Sequence, residues 1–190
     1  MVIPLDYELI ILCFVRSALF YSITSGIIFP YWEIIIVSTM KGLKYIMVEQ
    51  DTIKLLRECD AGVKMGITSI DDVLDDVKDE RFKKLLSDCK EENEKLDAEI
   101  HDILTEYEDD GKEPAIMAKS MSWIKTNVMM AMDASDQTIA DLMTDGCNMG
   151  VKSLNKYLNK YKAADEESKD ITKRLINIEE KLLVDIRQYL

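Results

Sequence analysis

From Leu56 onward the apolar residues return at steps of three and four: Leu56, Cys59, Val63, Gly66, Ile70, Leu74 and Val77. That spacing lines one face of an α-helix, and it predicts a first helix over about 51–77 capped by Asp51 or Thr52. Asp79 caps a second, over about 80–108, with Phe82, Leu85, Cys89, Leu96, Ile100, Ile103 and Tyr107 on its stripe. Glu108-Asp109-Asp110-Gly111 ends it, and Pro114 suits the first turn of a third helix over about 114–132, carrying Met117, Met121, Ile124 and Val128. A fourth, over about 136–162 with Ser135 or Asp136 as cap, turns Ile139, Met143, Cys147, Gly150, Leu154, Leu158 and Tyr161 inward. A fifth, over about 166–189 and capped by Asp165, uses Ile171, Leu175, Ile178, Leu182 and Ile186.

Two of these helices repeat each other. Gly62-x-x-Met65-Gly66-Ile67-x-Ser69-Ile70-x-x-x-Leu74-x-x-x-Lys78 recurs 84 positions later as Gly146-x-x-Met149-Gly150-Val151-x-Ser153-Leu154-x-x-x-Leu158-x-x-x-Lys162. With two residues added in the second turn, Asp79, Glu80, Lys83, Glu94, Lys95 and Leu96 align with Asp165, Glu166, Lys169, Glu180, Lys181 and Leu182. A duplicated amphipathic hairpin can bury its stripe against its own copy. The short turns make each hairpin antiparallel, and the third helix is long enough to cross between them. The expectation is an all-α four-helix bundle of two duplicated antiparallel hairpins joined by a helical crossover, over residues 47–190. Gly62, Gly66, Gly146 and Gly150 each cost about 1 kcal/mol in a helix relative to Ala. We therefore expect the first and fourth helices to cross at them, with Met65 and Met149 filling the flanks.

The duplicated hairpin, Glu113-Pro114, Met121-Ser122-Trp123 and Met149-Gly150 resemble uncharacterised bacterial ferritin-like four-helix proteins over residues 50–190. The resemblance implies a ferritin-like bundle. Its di-iron members need two inward Glu residues and two Glu-x-x-His motifs. Here His101 is the one histidine, Ala98 stands three residues before it and Arg187 is its repeat counterpart, so the iron motif is absent.

Composition narrows the function. The net charge of −12 resides in residues 47–190, where 33 acidic side chains face 21 basic ones, and it argues against nucleic acid as a partner. Cys13, Cys59, Cys89 and Cys147 show no CxxC and read as small buried hydrophobes of a cytoplasmic protein. Cys59 and Cys89, about 13 Å apart in level along the first hairpin, should not share a metal. Glu58, Asp97 and His101 come to one level of that hairpin, and Glu92 holds a stripe position opposite Ile178 of the repeat. As a reduced carboxylate/His site these four would bind zinc, manganese or iron. The competing reading makes them a solvated helix face, with Glu92 partly buried against a neighbour such as Ser69.

Met117, Met121, Met129, Met130 and Met132 beside Trp123 fit either a seam between crossover and bundle or a groove for a partner helix. No Gly-x-Ser-x-Gly, no Cys beside a base and no phosphate-cradling loop is visible, so an enzyme is not expected. The sequence favours a structural or interaction protein that self-associates or binds a protein partner, with no cofactor.

Residues 1–46 are of another kind. From Leu9 to Trp32 the only charge is Arg16, and Glu33 precedes Ile34-Ile35-Ile36-Val37. Three readings fit: upstream sequence translated before a start at Met40 or Met47, a membrane segment over residues 9–32 that leaves the bundle in the cytoplasm, or a soluble helical arm. Arg16 would cost about 2.5 to 3.5 kcal/mol within a membrane helix, and Gly26 and Pro30 weaken it. Asp6 and Glu8 occupy the place of a signal peptide's basic region.

Overall fold

A computed structural model describes residues 32–109, 111 and 135–190, and every regular element among them is helical. Four helices follow in order: α1 (Trp32–Leu74), α2 (Glu80–Glu106), α3 (Asp136–Lys160) and α4 (Glu166–Asp185), the last running into a 3₁₀ turn at Ile186–Tyr189. The chain divides into two compact units, Met1–Tyr45 and Ile46–Leu190, and the core lies in the second. The expected third helix, with Glu113, Pro114, Trp123 and its methionines, lies outside the described residues, as do Cys13 and the candidate membrane segment apart from Trp32.

Three expected caps close their helices. The Asp79 carboxylate accepts from the backbone N–H groups of Arg81 and Phe82 at 2.8 and 2.9 Å, Ser135 accepts from Thr138, and Asp165 accepts from Ser168. Each removes orphan donors from a first turn, a contribution of about 1 kcal/mol. The first helix departs from expectation, beginning at Trp32 rather than near Asp51. Nothing in Leu43-Lys44-Tyr45-Ile46-Met47-Val48-Glu49-Gln50 breaks a helix, so α1 runs on through it.

Asp51 and Thr52 are thus interior to α1 and do another job. The Asp51 carboxylate accepts from Ala163 N–H at 3.1 Å, and the Thr52 hydroxyl accepts from Asp165 N–H at 2.9 Å, in the turn between α3 and α4. In the turn between α1 and α2, the Asp136 carboxylate accepts from Lys78 N–H and Asp79 N–H at 2.8 and 2.9 Å. Each helix pair satisfies the turn of the other.

The helix stripes meet in two apolar clusters, and all four helices contribute to both. One gathers Ile70, Val73, Phe82, Leu86, Ile139, Met143 and Leu182, and the other gathers Leu56, Val63, Leu96, Ile100, Leu154, Ile171 and Leu175. Fully burying each such Leu, Ile or Phe contributes about 1.5 to 3 kcal/mol, so these clusters hold the described bundle together. At its end α2 reverses through Glu108 at φ 55°, with Glu108 N–H bonded to Thr105 O and Asp109 N–H to Leu104 O. That is a Schellman closure built on a non-glycine residue.

Candidate functional site

Between the two clusters runs a thin polar seam. On α2, Asn93 falls between Cys89, packed on the first cluster, and Leu96 in the second; on α4, Glu179 falls between Ile178 and Leu182 in the same way. Both side chains lie against glycine. A Cβ on Gly66 would meet Asn93 Oδ1 at 3.5 Å, an ordinary contact, whereas a Cβ on Gly150 would overlap the Glu179 carboxylate, 2.6 Å from its carboxyl carbon. A side chain at Gly150 would have to displace that carboxylate.

The two seats differ in how they are satisfied. Asn93 is 4% exposed and donates from Nδ2 to Cys89 O at 2.9 Å. Glu179 has a buried Oε2 with no hydrogen-bond partner. Burial pushes its carboxyl up to about 8, offset only in part by the Val151 N–H, so the group is mostly neutral at pH 7. Cys59 on α1, Cys89 on α2 and Cys147 on α3 all feel its charge, and all three thiols are free. Burial raises each of them, Cys59 and Cys89 to about 12, which makes them poor nucleophiles in the closed bundle.

The residues expected to hold a metal are dispersed. Glu92 is ion-paired with Lys181 of α4 at 2.7 Å, in place of the expected contact with Ser69. Lys160, at the end of α3, is raised first by its hydrogen bond to Tyr161, and Glu58 adds to that effect. Asp97 feels the charges of Lys64, Asp60 and His101. Burial raises the Asp97 carboxyl first of all, with Lys64 and His101 opposing and Asp60 adding, and its Oδ1 has no partner. Asp60 is itself 1% exposed and bonded to Lys64 at 2.5 Å. Among the described residues no group of His, Cys, Asp and Glu is arranged to hold a metal ion.

The expected crossing of α1 and α3 at their glycines is also corrected. A Cβ on Gly62 would meet Leu175 of α4, Gly66 faces Asn93 of α2, Gly150 faces Glu179 of α4, and Gly146 has nothing within 4 Å. Met149, expected to fill a flank, is 60% exposed. Two of the four, Gly66 and Gly150, make room for polar side chains from neighbouring helices.

Ion pairs tie the surface. Arg174 holds Glu99 through two bonds of 2.7 Å, Lys90 holds Asp71 at 2.6 Å, and Arg57 grips Asp109 through Nε at 2.8 Å and Nη2 at 2.5 Å. Asp109 also accepts from Gly111 N–H, and Gly111 at φ 78° leaves no space for a side chain against Asp60. No described helix is long and apolar enough to cross a membrane. No protein-family profile matches the chain, and neither a curated protein nor a solved structure does.

Proposed function

We propose that the chain is a non-enzymatic, cytoplasmic helical-bundle protein with a structural role exerted through self-association, built as a ferritin-like pair of duplicated antiparallel hairpins. The pairing of residues supports the antiparallel order. Asp71–Lys90 and Arg57–Asp109 join α1 to the α2 region, and Glu99–Arg174 and Glu92–Lys181 join α2 to α4, with one number rising as the other falls. The reciprocal turn contacts support the duplication. Thr52 aligns with Asp136 in the repeat and Asp79 with Asp165, so Thr52–Asp165 and Asp136–Asp79 are equivalent bonds.

The observation that carries self-association is exposed apolar surface on α1. Ile46 and Met47 are 52% and 60% exposed, and Met40 and Tyr45 in the preceding unit are 61% and 74% exposed. Sedimentation of the full chain against Ile46→Glu/Met47→Glu tests it. The wild type should form oligomers that the double variant, with unchanged helical content, does not. A wild type that stays monomeric across the concentration series refutes the reading.

A further inference from the structure

Half-buried Glu179 places its carboxylate against the Gly150 backbone with Oε2 left unbonded. It lies against the backbone of Gly150 and Val151 on α3, and its charge reaches Cys59 of α1, Cys89 of α2 and Cys147 of α3. Cys89 also feels Lys181, which is bonded to Glu92 at 2.7 Å. A half-buried seat against a helix backbone, with Oε2 left unbonded, holds a protonated carboxyl more readily than a carboxylate.

We propose that the Glu179 seat is a proton-operated latch: the bundle closes over the neutral carboxyl, and loss of its proton drives the side chain off Gly150, parting α4 from α3 and opening the buried thiols to solvent. The direction follows from linkage. In the open form the carboxyl has its ordinary value of 4.5, while in the closed form it holds its proton up to about 8. Opening therefore releases a proton between these limits and is favoured about tenfold for each unit the pH rises, then levels off. Near neutrality the latch sits on that slope, so a small change in proton concentration changes how often the thiols are exposed.

The test is the rate at which 4,4′-dithiodipyridine, a disulfide reagent that works in mild acid, modifies the native chain from pH 5 to 9, beside Glu179→Gln. Dividing one rate by the other removes the thiols' own ionisation. The ratio of wild type to variant should climb about tenfold per pH unit to near pH 8 and then flatten. A ratio independent of pH overturns the proposal. Should the variant fail to fold, carbon-detected titration of the Glu179 carboxyl in the wild type decides instead. A midpoint near 8, accompanied by a protection factor at the Val151 amide that falls as pH rises, supports the latch; a midpoint in the ordinary carboxyl range, or a protection factor independent of pH, overturns it.

Discussion

Gly66 with Asn93, and Gly150 with Glu179, are two answers to one packing problem. In both, a helix gives up a side chain so that a polar group from its neighbour can lie against it. The first seat is filled by an amide that cannot ionise and that spends its N–H on Cys89 O. The second is filled by an acid with one oxygen unbonded. The amide can stay buried at every pH, whereas the acid can stay buried only while protonated. Two seats of similar shape therefore differ in whether the medium outside can act on them.

The largest effect should come from making the second seat resemble the first. The Glu179 carboxyl is raised in the fold, so its stabilising contribution is complete below about 4.5 and is lost as pH climbs to about 8. Wild-type stability should fall by roughly 3 to 5 kcal/mol from this group across that window. In Glu179→Gln that fall should vanish, and urea unfolding at half-unit pH steps will measure it. The reverse change is next in size. Asn93→Asp replaces a donor with an acceptor facing Cys89 O, so it should cost roughly 1 to 3 kcal/mol at pH 7 and less in acid; equal losses at pH 5 and pH 8 would contradict the comparison.

The sequence revealed one partner in each seat and concealed the other. Gly66 and Gly150 were visible as mid-helix glycines whose cost demanded a packing reason. Asn93 and Glu179 were not, because the rule that gathers apolar residues at steps of three and four passes over any polar side chain between them. The signal was present in the repeat: Leu96 aligns with Leu182, which aligns Asn93 with Glu179, each on the helix that follows a glycine repeat. The caps Asp79, Ser135 and Asp165 could be read because capping is local chemistry. Asp51 and Thr52 misled for the same reason, since capping residues look alike whether they serve their own helix or another's turn. Of the candidate metal residues, Glu58 was assigned by level along a hairpin and Glu92 by its place on a stripe, and neither says which neighbour a side chain turns toward.

Smaller effects separate the seats further. Asp136→Ala should cost about 1 kcal/mol by freeing Lys78 N–H and Asp79 N–H, and Thr52→Ala a comparable amount through Asp165 N–H. Thermal melts of both should show similar losses if the two turns are equivalent. Gly66→Ala should be neutral or stabilise by up to about 1 kcal/mol, because the methyl group has room beside Asn93. Gly150→Ala should gain nothing comparable, since its methyl group must first displace the Glu179 carboxylate, and the pH dependence of its stability should shrink. Matching melts for the two alanine variants would erase the distinction between the seats.

The crossed hydrogen bonds of the turns bear on how the chain folds. Asp136 belongs to one helix pair and closes the turn of the other, while Asp51 and Thr52 return the favour. Neither pair can finish its own reversal alone, so each acts as a template for its neighbour. If the connection between Gly111 and Ser135 were cut, the halves should not fold independently but should find each other, with a rate proportional to the concentration of each. Holding both halves in one chain would then act as a local concentration.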